Sequence, residues 1–157
     1  MSVEVLEESG AQVDARRIAT LSRFVLERLR VHPQAELCIK LTDEAGIAEY
    51  NEKWMGQEGP TDVLSFPMDE LRPARDGEVE QEGILGDMLL CPQYAIAQAP
   101  SFNRSPEDEM RLLTIHGILH LLGYDHAEPD EHREMFGLQA RLLAEWQAVR
   151  SGAQVEE

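Results

Sequence analysis

The order of hydrophobic and polar residues along the chain predicts both strands and helices. Short apolar or alternating runs are typical of strands, and they occur over residues 2–8, 35–42, 63–68 and 84–91. Apolar residues spaced three and four apart, together with capping residues, predict helices over residues 14–31, 43–54, 92–99, 106–122 and 129–150. We expect the first strand to lie at a sheet edge, and Pro67 places the end of the third near an edge or a bulge.

The helix predicted over residues 106–122 has almost no polar face in its second half. Ser105 and Pro106 form a strong helix start, and Gly123 is placed to end the helix in a left-handed conformation. A helix that is apolar all round must be largely buried. Its apolar residues are Leu112, Leu113, Ile115, Ile118, Leu119, Leu121 and Leu122.

The remaining segments indicate a single domain. Residues 69–82 lack periodicity and contain Pro73 and Gly77, which predicts a long exposed loop. No internal repeat or low-complexity linker divides the 157 residues. We expect residues 1–150 to form one domain and residues 151–157 to form a flexible acidic tail.

Charge narrows the classes of partner. The chain has 30 acidic and 14 basic residues, a formal net charge of −16. This acidity argues against a DNA partner or a protein that coats nucleic-acid duplexes, because such proteins usually present a basic face. Local charge can differ from net charge, however, since five arginines crowd the first predicted helix: Arg16, Arg17, Arg23, Arg28 and Arg30.

The termini and the cysteines indicate a cytoplasmic protein. The amino end has neither a basic start nor a sustained apolar stretch, and no apolar run approaches the roughly 20 residues that span a bilayer. We therefore expect no membrane partner. Cys38 and Cys91 each lie in an apolar segment and are predicted to be buried free thiols, which suits a reducing cytosol.

Three histidines carry the clearest chemical signal. His116 and His120 lie four residues apart on the buried helix, about 40° apart around its axis and about 6 Å apart along it. His126 follows the reversal at Gly123 and can supply a third nitrogen. Three imidazoles with an open fourth position indicate a catalytic zinc site, although nickel, copper and iron suit the same ligands. We expect the other two histidines, His32 and His132, to be ordinary surface residues.

The same histidine spacing occurs in zinc peptidases, in which a glutamate after the first histidine is the general base. Gly117 occupies that position here. Glycine cannot accept a proton. This chain therefore has the metal ligands of the peptidases but lacks their principal catalytic residue.

Three segments resemble the signature segments of the bacterial YbeY family: HGILHLLGYDH from His116, TDVLSFP at 61–67, and Leu85-Gly86-Asp87. The resemblance implies an α+β fold with a mixed, mostly four-stranded sheet packed by about five helices. It also implies a zinc-dependent endoribonuclease, specific for single-stranded RNA, in 16S ribosomal RNA 3′-end maturation and ribosome quality control. The zinc ligands carried over are His116, His120 and His126.

One position departs from the family pattern. Many members have an arginine where this chain has Met55, which cannot bind phosphate. If the family arginine binds RNA, this chain must supply the positive charge from another position. The candidates are the first helix, Arg104 and Arg111. We expect the excess acid to lie away from the cleft, in the 69–82 loop, the start of the last helix and the tail.

Two acids are candidate catalytic residues. Asp125, beside the third histidine, and Asp87, on the last strand, could orient a zinc ligand or accept a proton. Each has a structural alternative, because Asp125 could stabilise the turn after Gly123 and Asp87 could form hydrogen bonds within the fold. The attacking oxygen could belong to water or to the RNA 2′-hydroxyl.

Two other functions remain open from the sequence. One is a zinc hydrolase of peptides or small molecules, which the histidine spacing favours and Gly117 opposes. The other is a non-catalytic ribosome-assembly factor with a structural metal, whose acidic surface would dock on a basic ribosomal protein.

Overall fold

The sheet of the protein is mixed and four-stranded. The computed structural model describes residues 2–79 and 82–156, and its strands pair in the order β1-β2-β4-β3. Strands β1, β2 and β4 run parallel, whereas β3 pairs antiparallel with β4. Both expected edge positions are confirmed, since β1 lies at one edge and β3, which ends in Pro67, at the other. The strands are β1 (Ser2–Glu7), β2 (Glu36–Leu41), β3 (Val63–Pro67) and β4 (Ile84–Leu90).

Across the described residues, five α-helices pack around this sheet, which confirms the α+β fold. A π-helical turn, Asn51–Met55, extends α2, and a 3₁₀ turn, Ala99–Phe102, extends α3. The last helix continues beyond residue 150, where the sequence predicts its end. The helices are α1 (Ala15–Arg28), α2 (Glu44–Tyr50), α3 (Pro92–Gln98), α4 (Pro106–Leu121) and α5 (Pro129–Glu156). No helix in the described part of the chain is long and apolar enough to cross a bilayer.

Helix α4 is the central element, as its apolar composition predicts. The Ser105 hydroxyl accepts a hydrogen bond from the Asp108 amide at the start of the helix. In the second half, Ile115, Ile118 and Leu119 are fully buried in the main core, between the sheet and helices α1 and α5. A smaller apolar cluster that includes Ile47 of α2 packs on the opposite face of the sheet. The core therefore fixes the position of the second half of α4, which carries His116 and His120.

The loop between β3 and β4 is less free than its composition suggests. Its described part has no helix or strand, as predicted, and residues 80 and 81 lie outside the described residues. Leu71 is buried in the main core, however, and Asp76 forms an ion pair of 2.9 Å with Arg30. Asp69 accepts a hydrogen bond from the Ile84 amide. These contacts anchor the loop at both ends.

The two cysteines differ in burial. Both thiols are free, and Cys91 is fully buried as predicted. Cys38 is only half-buried, and its two cross-strand neighbours, Glu4 of β1 and Asp87 of β4, are exposed. Burial is the main cause that raises the pKa of each thiol above its usual value.

Candidate metal centre

The turn that ends α4 brings distant parts of the metal centre together. Gly123 has φ +96°, and its amide donates to the His120 carbonyl while the Tyr124 amide donates to Leu119. These two bonds form a Schellman motif, which favours glycine at its left-handed position. The chain reverses there and carries His126 back toward the helix.

The three predicted histidines do converge. His116 and His120 are half-buried on α4, and His126 is exposed on the turn. One ring nitrogen from each histidine can be chosen so that all three lie within 4.8 Å of one another. The ring centroids of His116 and His126 are 5.5 Å apart, and those of His120 and His126 are 5.3 Å apart. One cation can reach all three rings.

Hydrogen bonds orient the two helical rings toward this common point. The Nδ1–H of His120 donates to the Tyr124 carbonyl at 3.0 Å, and the Nδ1–H of His116 donates to the Gln139 amide oxygen at 2.9 Å. Each ring then has its lone pair on Nε2, and the two Nε2 atoms are 3.0 Å apart. Two lone pairs that face each other repel, whereas a cation between them satisfies both. The three histidine nitrogens therefore fit a metal ion. Because His126 is exposed, the site is open to solvent on the side of this residue.

Burial keeps these histidines in the neutral form that binds metals. It is the main cause that lowers the pKa of His116 and of His120, because apolar surroundings disfavour the charged imidazolium. The hydrogen bond to Gln139 and the charge of Asp62 partly oppose this effect on the pKa of His116. Neutral imidazole is the form that donates a lone pair to a metal.

An aromatic wall borders the site on the side of α5. The Phe136 ring lies 5.7 Å from the His116 ring and 5.8 Å from the His126 ring. His132 stacks on Phe136 with ring centroids 4.2 Å apart, and it lies 6.2 Å from His126. His132 is exposed, as predicted for a surface residue, but it belongs to the rim of the metal centre.

Comparisons with known proteins agree with this geometry. Residues 4–147 match the model of the family described as Endoribonuclease YbeY. The chain belongs to the endoribonuclease YbeY family. It is 62% identical over 148 residues to the endoribonuclease YbeY of Nocardioides sp., with 94% of this chain and 99% of that protein covered. The corresponding protein of Thermobifida fusca is 58% identical over 146 residues, with 93% and 94% covered.

A solved structure supports the fold as well. The solution structure of TM1509 from Thermotoga maritima superposes with a TM-score of 0.66 at 30% sequence identity, covering 96% of this chain and 93% of that one. As a member of the YbeY family, whose named relatives are endoribonucleases, the chain is an enzyme of the hydrolytic nuclease class.

The structure separates the two acids considered as catalytic residues. Asp125 lies in the turn, where its carboxylate accepts the His126 amide at 2.7 Å, and its charge acts on His120. Asp87 lies on the same face of β4 as Leu89, because side chains alternate along a strand. Met88 contacts α4, so Asp87 faces away from the helix that carries the histidines.

Gly117 has a packing role in this member of the YbeY family. A β-carbon at Gly117 would lie 2.4 Å from Met88 Cε and 3.1 Å from Val63 Cγ2, because α4 packs directly on the sheet. The Gly117 carbonyl also accepts a hydrogen bond from the Ser65 hydroxyl at 3.0 Å. A glutamate at this position, as in zinc peptidases, would have to displace the buried Met88 side chain.

Of the arginines considered as replacements for Met55, all but Arg16 and Arg23 form ion pairs with carboxylates of the described residues. Met55 is 43% exposed at the end of the π-helical turn. Arg104 forms an ion pair of 3.0 Å with the buried Glu109, and Arg111 pairs with Asp108 at 2.7 Å. Both pairs lie at the amino-terminal half of α4, away from the histidines. On the first helix, Arg17 pairs with Asp14 and Arg28 with Glu145.

One expectation about acidic residues is wrong. The start of the last helix was expected to lie away from the cleft, but α5 begins beside the metal centre. Glu131 and Glu134 line a cavity together with Asp125, and the neighbouring His132 and Phe136 contact the histidine rings. The turn at Gly123 causes this, because it folds the first turns of α5 back over the end of α4.

Sequence analysis missed two residues that act on His116. Gln139 interrupts the apolar face of α5, four residues after Met135 and three before Leu142, so a buried amide on this face was a detectable signal. Asp62 lies in the TDVLSFP segment, and its carboxylate accepts hydrogen bonds from the Val63 amide and the Gln98 side chain. Only the folded chain shows that its charge acts on His116.

Proposed function

We propose that this protein is a zinc-dependent endoribonuclease that cleaves single-stranded RNA. The observation that carries the proposal is the pair of Nε2 lone pairs of His116 and His120, directed at one point that the exposed His126 can also reach. Three nitrogen ligands and an open side are typical of catalytic zinc. A bound zinc ion supplies a Lewis acid for a phosphoryl oxygen and lowers the pKa of water to about 7.

The protein's own groups hold and orient this site. Gln139 and the Tyr124 carbonyl keep both helical histidines in the tautomer with Nε2 free. Asp125 is the acid that we propose as proton acceptor, because it adjoins His126 and its charge acts on His120. We do not assign such a role to Asp87, which faces the other side of the sheet.

The cellular role that we propose is 3′-end maturation of 16S ribosomal RNA and ribosome quality control in the cytoplasm. The formal charge of −16 favours a basic protein as a further partner, such as a ribosomal protein, since complementary charge steers association. Family membership and the sequence resemblance support the RNA substrate.

Substrate comparison tests this function. The zinc-loaded chain is incubated with single-stranded RNA, duplex RNA and an unstructured peptide, and a His116→Ala preparation purified in parallel controls for contaminating nuclease. We expect cleavage of single-stranded RNA alone, and only by the wild type. Peptide cleavage with intact RNA would favour the peptidase alternative, and equal RNA cleavage by both preparations would refute the assigned site. The end groups of the RNA products distinguish water from the 2′-hydroxyl as the nucleophile.

A further inference from the structure

The cavity that Glu131 and Glu134 line beside the metal centre is also bordered by the Gly123 turn and by the loop between β3 and β4. Its volume is about 540 Å³, within the range of ligand sites. Gly123, Tyr124 and Asp125 line it, so it shares with the metal centre the turn that orients His120. Gly123 and His126 are three residues apart, which limits the separation of their Cα atoms to about 11 Å.

Two arginines of the loop between β3 and β4 line one wall of this cavity. Within the part of the chain whose side chains are described, eight other cations form ion pairs with carboxylates. In the same part, no carboxylate oxygen lies within 4 Å of the Arg72 or Arg75 guanidinium. Four further cations of the described residues, Arg16, Arg23, Lys53 and Arg150, also form no ion pair, but Arg72 and Arg75 are the two that line this cavity.

The Arg72 guanidinium is held in place before any ligand binds. Its Nη1 donates to the carbonyls of Glu70 and Leu71 at 3.2 and 3.1 Å, and Leu71 is anchored in the core. The group also lies against Gly123, where an added β-carbon would be 2.6 Å from Arg72 Cζ. Nε and Nη2 donate to no described protein atom, so these N–H groups are available to an anion.

We propose that Arg72 binds a phosphate of the RNA strand next to the one at the three histidines, with Arg75 adding charge along the same wall. This inference rests on the proposed function. A single strand carries one negative charge per nucleotide, and a fixed guanidinium is suited to phosphate. Asp125, Glu131 and Glu134 line the same cavity, so they repel the strand and direct it to the arginines.

Binding measurements test this inference separately from cleavage. The full chain carrying His116→Ala is the parent, so that the strand stays intact, and a labelled short single-stranded RNA reports binding by fluorescence anisotropy over a series of salt concentrations. We expect Arg72→Gln to weaken binding about tenfold and to reduce the salt slope by about 0.7. The matched control, Arg150→Gln, removes the same charge from an exposed position in the carboxyl-terminal part of α5 and should leave both values unchanged.

Two further variants distinguish the loss of the Arg72 charge from a structural disturbance of the loop. Arg72→Lys keeps the charge and should keep the salt slope, and Glu134→Gln removes a repelling charge and should tighten binding severalfold. An Arg72→Gln protein that binds like the Arg150→Gln control would overturn the inference, as would unchanged affinity in Glu134→Gln. If the wild type cuts RNA while Arg72→Gln binds normally, only this inference fails. A wild type that neither binds nor cuts RNA contradicts the proposed function as well.

Discussion

Replacing Gln139 by leucine tests whether the hydrogen bond that orients His116 contributes to zinc affinity. Gln139 is 7% exposed, and its amide oxygen accepts the Nδ1–H of His116 at 2.9 Å. Leucine has similar bulk but no acceptor. The three histidines are unchanged in this variant, so any loss of zinc affinity comes from the lost hydrogen bond.

The expected loss follows from the two tautomers of His116. Without an acceptor at Nδ1, the ring can carry its proton on Nε2 and donate it to His120 Nε2, 3.0 Å away. Zinc binding must then move the proton to Nδ1, where it is buried and unpaired at a cost of about 1–3 kcal/mol. Partners of this kind typically contribute 10–100-fold to metal affinity, or about 1.4–2.8 kcal/mol. The cost of the unpaired N–H and the typical contribution of such a partner to metal affinity therefore agree.

Zinc affinity is measured by competition with a chromophoric chelator, and thermal unfolding without zinc reports the fold. We expect Gln139→Leu to bind zinc 10–100-fold more weakly and Gln139→Glu, which keeps an acceptor, to bind at least as tightly as wild type. Gln147→Leu is the matched control, because Gln147 lies on the same helix and donates to Asp108 at the surface. Affinity within twofold of wild type in Gln139→Leu would refute the orienting role.

Three other predictions concern the turn, the metal and the acid. Gly123→Ala should lower the free energy of unfolding by about 1–2 kcal/mol in urea titrations, because φ +96° strains any residue with a β-carbon; unchanged stability would argue against the Schellman turn. Zinc at about a hundredfold excess over its Kd should stabilise the chain by about 2.7 kcal/mol and raise Tm by about 5–10 °C, reversed by a chelator; a Tm indifferent to both would mean that the folded chain holds no zinc. Asp125→Asn keeps an acceptor for the His126 amide but not a base, so RNA cleavage should fall about 10²-fold or more at normal zinc content; full activity would leave Asp125 with a role in the turn only.

Local signals were sufficient to predict the elements and the metal ligands. Ser105 and Pro106 mark the start of α4, and Gly123 marks its end, because caps depend on a few neighbouring residues. The four-residue spacing of His116 and His120 places both on one face of any helix. These predictions need no knowledge of the tertiary structure.

What sequence analysis missed depends on how the elements pack. Gln139 meets His116 only because α5 folds back along α4. The same reversal brings His132 and Glu134 to the rim of the site, although both lie on a segment that resembles an ordinary acidic helix start. The direction of Asp87 follows from the register of β4 against its neighbours, which periodicity alone does not determine.

Metal content and RNA cleavage in the same preparations test the central claim, which is that three histidines hold one zinc ion that RNA cleavage requires. Elemental analysis should give one zinc per wild-type chain and none in the His116→Ala/His120→Ala variant, which should remain folded by circular dichroism and should not cut single-stranded RNA. Full zinc occupancy in that variant, or undiminished RNA cleavage without zinc, would contradict the account.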